Sequence, residues 1–170
     1  IASLVAAGMD TTIQAITYAA RYLVEHPATL ELIVEQPGLR SNAVQEVLRY
    51  DFFARTGPSR YATVDIELAG VIIKKGQLVF PCLTSAMRDP QVFPDPDTFD
   101  VNRNVSRSLA FGGGMYHCLG NYLAIIEAEE AIGQLFEKYP HLQLRSEPTY
   151  SPEPFFRTIS SLRVQVKPTL

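Results

Sequence analysis

The stretch FGGGMYHCLGNYLA, residues Phe111 to Ala124, sets Gly112, Gly113 and Gly114 in front of Cys118 and an apolar pattern behind it. Glycines at such positions give the backbone access to positive φ and let another body approach closely. The pattern after the cysteine predicts a helix from Leu119 to Tyr139. Ala124, Ala128, Ala131 and Leu135 fall on one face, and Pro140 stops it. A thiol just ahead of a helix lies among unpaired N–H groups at the positive end of the dipole, and both favour the thiolate.

A thiolate is a nucleophile or a metal ligand. As a nucleophile it needs a His base and an orienting group. His117 is its neighbour in sequence, and only His26 and His141 remain. As a zinc ligand it needs three partners, and no CxxC or close His/Cys cluster supplies them. Haem iron needs a single protein sulfur, because the porphyrin supplies the other four ligands. The glycines then make room for something wide and flat, and Gly120 lets the helix start pack under the ring. The loop alone leaves a second reading open: a Gly-rich turn beside an inert, buried cysteine.

Outward from the loop, residues 1 to about 25 read as a helix with Leu4, Ala7, Thr11, Ala15 and Tyr18 near one stripe, weakened at Gly8. Pro27 opens a short second helix, ATLELIVEQ. Ser41 or Asn42 caps a third, NAVQEVLRYDFF. Residues 60–82 change period. They read as short antiparallel strands broken at Ala69-Gly70 and Lys75-Gly76. MRDPQVFPDPDTFDVNRN reads as a surface-wrapping loop, and the tail ends in a strand, SLRVQV. The 170 residues therefore predict one domain, residues 1–170, of mainly α structure with small antiparallel β-sheets, an α+β layout. The net charge of −3 and the scattered basic residues argue against a nucleic-acid surface. No apolar run reaches membrane-span length, so no membrane partner is expected. Two cysteines make no disulfide framework and suit a reducing cytoplasm. The chain opens in mid-pattern with neither cap nor Met, which predicts truncation at the N-terminus; a processed natural end is the alternative.

The pattern Phe111-Gly112-x-Gly114-x-x-x-Cys118-x-Gly120 resembles the haem-binding loop of the cytochrome P-450 family. Further stretches resemble the family's motifs, in its order. Ala7-Gly8-Met9-Asp10-Thr11-Thr12 looks like the oxygen-binding stretch of the long central helix. Glu46-Val47-Leu48-Arg49 looks like the buried ExxR pair, and Arg60-Tyr61-Ala62 is similar to the strand whose arginine pairs a haem propionate. The loop from Met87 to Asp100 resembles the meander before the cysteine. The likeness is closest to the soluble bacterial members and implies the C-terminal half of the fold.

The resemblance implies a haem-thiolate monooxygenase with haem b, inserting one atom of O2 into a small organic, apolar substrate with electrons from a ferredoxin-type or flavoprotein donor. Cys118 is the implied iron ligand, its sulfur pushing electron density toward the iron. Asp10 and Thr11 are the implied proton-handling pair, and Gly8 leaves room beside them. Phe111, Gly112, Gly114, Gly120, Arg60 and His117 are the implied cofactor contacts. Glu46 and Arg49 are the implied structural brace. Two positions depart from the pattern. Thr98 stands where many members carry the Arg that closes the brace, leaving Arg103 or Arg88. Tyr116 stands where bacterial members carry His or Arg for a propionate, with His117 beside it. A non-catalytic relative serving as a partner or stabilising subunit is the alternative, and the retained Cys118, Asp10 and Thr11 argue against it. Phe52, Phe53, Phe155 and Phe156 are candidates for an apolar pocket wall or for core. Alone, these residues are expected to bind haem poorly and not to turn over.

Overall fold

The structure is a computed structural model and describes residues 2–166; within the first helix the side chains of Ser3 and Leu4 lie outside the description. Three helices carry the core: α1 (Ala2–Glu25), α3 (Arg40–Tyr50) and α5 (Asn121–Lys138). They pack against one another, and the short α2 (Pro27–Glu35) closes one end. Tyr18, Leu23, Val47, Leu48, Ala128 and Ile132 meet at the centre, all almost fully buried. Burial at i, i+3 and i+4 spacing is what an amphipathic helix requires.

Among the described residues the β structure is four separate two-stranded antiparallel pairs. Strands β1 (Arg60–Tyr61) and β4 (Leu78–Val79) enclose the hairpin β2 (Ile66–Leu68) and β3 (Val71–Ile73). That hairpin turns through Ala69 and Gly70, both at positive φ, as a tight right-twisted connection demands. In the tail β5 (Leu142–Leu144) pairs with β8 (Val164–Val166), and β6 (Thr149–Tyr150) with β7 (Ile159–Ser161). The segment between β4 and α5 is loop, apart from a single turn of helix, α4 (Leu83–Ala86), and a 3₁₀ turn at Gly114–Tyr116. Among the described residues no helix is long and apolar enough to cross a membrane.

Three expectations need correction. α3 starts at Arg40, directly after a 3₁₀ turn at Pro37–Leu39, so neither Ser41 nor Asn42 caps it. Asn42 sits inside the helix, and its amide donates to the carbonyls of Val101 and Arg103, at 2.6 and 2.9 Å. A long-range tie there replaces the local cap. α5 begins at Asn121, not Leu119, and its buried stripe is Ala128, Ile132, Gly133 and Phe136. Ala131 and Leu135 are half-buried beside it, one step round the helix. On α1 the stripe divides: Ala15 and Tyr18 are core, while Ala7 and Thr11 are exposed.

Candidate functional site

The cysteine loop is shaped by its own backbone. The Cys118 N–H donates to the Phe111 carbonyl at 2.9 Å, and the His117 N–H to the Gly114 carbonyl at 3.1 Å. Closing so short a loop takes positive φ at Gly112 (70°) and Gly114 (64°). Gly113 is extended, so the expectation of positive φ does not hold there. Gly112→Ala is therefore expected to cost about 1–2 kcal/mol, the strain of an L-residue held left-handed. Gly113→Ala is expected to be neutral. Thermal melts of the two variants check this.

Cys118 is exposed at the end of this loop. Facing it is the N-terminal half of α1, and between them lies a cavity of about 680 Å³. Gly8, Thr11, Phe111, Cys118, Gly120 and Leu123 are among its lining residues. Neither Gly8 nor Gly120 has a neighbour within 4 Å of where a Cβ would stand, so both leave open space beside the thiol. The Thr11 hydroxyl donates to the Ala7 carbonyl at 2.6 Å. That back-bond uses its only proton and leaves its oxygen lone pairs as acceptors. A flat, largely apolar group carrying a metal fits these residues: one exposed soft sulfur, glycine on both walls, and aliphatic side chains around them.

A second cavity, of about 490 Å³, adjoins the first and shares Ala7, Thr11 and Ile13 with it. Asp10, Phe53, Glu153 and Phe156 line it. Asp10 therefore belongs to this second cavity and not to the one that Cys118 lines. Phe53 is buried in the core and Phe156 is exposed, yet both reach the same space.

Arg60 comes to the loop from β1, its guanidinium 5.6 Å from the centre of the Tyr116 ring. His117 lies elsewhere. Its Nδ1 is 3.3 Å from the Asn121 amide, and it lines a cavity with Ser41, Gln45 and Ser108 on the other side of Phe111. The adjacent residue in an extended stretch points away from its neighbour. His117 and Cys118 are accordingly separated.

Behind the loop, Glu46 and Arg49 are fully buried and joined by two hydrogen bonds, at 2.7 and 2.9 Å. Arg103 completes the group, its Nε 3.2 Å from Glu46 Oε1. Arg88 instead pairs with Asp97 and donates to the Tyr50 carbonyl. Of the two candidates, Arg103 closes the triad. Thr98 takes part through its carbonyl, which accepts from both Arg49 and Arg103.

Sequence reasoning missed Gln14 and Asp51, and gave Asn42 a cap's role in place of its bonds to Val101 and Arg103. Asp51 accepts from Tyr22, Arg21 and Arg157, tying α1 to the tail. The lone signal was position: Gln14 stands one turn beyond Thr11.

An exposed thiol thus faces a helix threonine across one cavity. The family model described as Cytochrome P450 matches residues 39–167. Epothilone C/D epoxidase from Sorangium cellulosum is 46% identical over 99% of this chain and 40% of its own length. The biotin biosynthesis cytochrome P450 of Bacillus subtilis is 39% identical over 95% of this chain and 41% of its own length. The solved structure of epothilone D-bound cytochrome P450epoK superposes with a TM-score of 0.93 at 46% identity, over 98% of this chain and 41% of that one. The chain belongs to the cytochrome P450 family. It spans about two fifths of the length of these curated relatives.

Proposed function

We propose that this chain is the C-terminal, haem-binding part of a haem-thiolate monooxygenase, residues 1–170 forming one unit. In this reading it inserts one atom of O2 into an organic, mainly apolar substrate, with electrons from a ferredoxin-type or flavoprotein donor. The observation that carries the reading is the placing of exposed Cys118 and Thr11 on opposite walls of one cavity. The cofactor would be haem b, and the Cys118 sulfur would hold its iron. When bound, the haem supplies O2 activation, driven by electron density from the sulfur.

The chain's own residues do the rest. Phe111, Gly112, Gly114 and Gly120 hold the loop open for the ring. Arg60 is the propionate partner; His117, on the far side of Phe111, is left out of that role. Thr11 offers its hydroxyl oxygen as an acceptor in the cavity, while exposed Asp10 next to it exchanges protons with solvent. Phe53 and Phe156 form an apolar wall beside Thr11, which supports an apolar substrate. The two cysteines are both free, which supports a reducing, cytoplasmic setting.

A carbon monoxide difference spectrum of the chain, purified with haem and reduced by dithionite, tests this. A strongly red-shifted Soret band is the expected result. A band at the neutral-ligand position overturns it; no haem signal would instead match the weak haem binding expected of these residues alone and leave the family membership standing.

A further inference from the structure

The tail segment that carries Phe156 has little of its own to fix its register. β6 and β7 are two and three residues long, and their ladder is irregular at Thr149/Tyr150. Register is weakly specified in so short a pair, and a slip of one residue turns every side chain to the opposite face. On one side the segment meets the chain after α3. The Arg157 N–H donates to the Phe53 carbonyl at 2.7 Å, the Arg55 N–H to the Phe155 carbonyl at 2.9 Å, and Ala54 bridges Phe156.

On the other side it meets α1. The Gln14 amide engages both backbone groups of one residue: its Nε2 donates to the Ile159 carbonyl at 3.3 Å, and its Oε1 accepts from the Ile159 N–H at 2.8 Å. Tyr18 donates to the Arg157 carbonyl, and Arg21 to the Tyr150 hydroxyl at 2.7 Å. Thr11, Gln14, Tyr18 and Arg21 recur at three- and four-residue spacing, so they share one helix face. Tyr18 and Arg21 each contribute one bond. Among these α1 side chains, Gln14 alone binds a backbone donor and acceptor together, as the 53–55 segment does on the other side. In the resulting register Phe156 lines the cavity with Thr11, Gln14 and Phe53, while Phe155 stacks on Phe80 with ring centres 6.0 Å apart.

We infer that Gln14 is a positioning residue of the substrate cavity: by holding both backbone groups of Ile159 on the α1 side, it acts with the Ala54–Phe156 bridge on the other side to keep the register that sets Phe156, not Phe155, against Thr11. This rests on the haem-thiolate reading above, which makes that cavity the substrate's. It gives the chain a specificity element that touches no reacting atom.

The test compares two probes on the haem-loaded protein, imidazole and 4-phenylimidazole. Both ligate iron through nitrogen and shift the Soret band; only the second places a ring in the cavity. In Gln14→Leu, near-isosteric but without polar atoms, the ratio of the two dissociation constants is expected to change about five-fold or more, the scale of a lost hydrogen bond. Imidazole alone is expected to bind as in the unaltered protein. Phe156→Ala is expected to change the ratio too, and adding Gln14→Leu to it to change nothing further, since coupled positions are not additive. Gln14→Asn, one methylene too short to span both groups of Ile159, gives the same reading should the Leu variant fold poorly. An unaltered ratio in both Gln14 variants, or an additive double variant, overturns the inference. No Soret shift with either azole in the unaltered protein is a different result and overturns the haem reading beneath it.

Discussion

Haem-loaded protein carrying Cys118→His, reduced and exposed to carbon monoxide, is expected to lose the strongly red-shifted Soret band and show that of a neutral-ligand haem. An imidazole could hold the iron in place of the thiolate, but it is neutral and would lack the electron push that a thiolate gives. The folding cost is expected to stay within about 0.5 kcal/mol, the usual range for a surface change away from packed features. Cys118 supports this, because its side chain is exposed and the loop is closed by its backbone N–H, which the substitution keeps. Cys82 provides the control. It too is a free, exposed thiol, and its closest polar contact is the Thr84 hydroxyl at 3.6 Å. Cys82→Ser should leave the carbon monoxide band in place. A red-shifted band that survives Cys118→His and vanishes in Cys82→Ser would assign the sulfur to the wrong loop and undo the proposed site.

The parts legible in the sequence share a physical character: each is written in residues close together along the chain. Gly70 and Gly76 mark turns because positive φ is a property of one residue, and both take it. α1, α2 and α5 are legible from apolar spacing within each segment. The start of α3 was misread because Asn42 is a strong local cap that here makes tertiary bonds to Val101 and Arg103. The same limit hid Gln14, whose partner Ile159 lies at the other end of the chain. His117 and Cys118 are neighbours in sequence, yet they line different cavities, a separation that adjacency alone does not reveal. Spacing indicated that Glu46 and Arg49 share a helix face. It could not choose between Arg88 and Arg103, since both lie in a loop whose path is set by the pair itself.

That dependence makes Glu46→Ala the substitution with the largest expected effect on stability. One buried carboxylate sits between two guanidiniums, accepting from Arg49 twice, from Arg103 and from the Asp100 N–H. The excess positive charge is met by carbonyl dipoles: Arg49 donates to Met87, Pro96 and Thr98, and Arg103 to Pro94, Asp95 and Thr98. The group thus pins the backbone from Met87 to Arg103, the stretch that leads into the cysteine loop. A buried ion pair is no guarantee of net stability, but removing one partner strands the other. Glu46→Ala leaves two cations facing each other without a counter-charge, and is expected to cost about 3–5 kcal/mol. Arg103→Ala leaves the Glu46–Arg49 pair intact and frees exposed carbonyls that water can reach, so about 1–2 kcal/mol is expected. Equilibrium urea unfolding of the two variants gives the order directly. An Arg103 variant as damaging as the Glu46 variant would mean that the third cation, and not the carboxylate, holds the loop. A Glu46 variant that loses less than Arg103→Ala would mean that the carbonyl dipoles alone suffice to carry both charges.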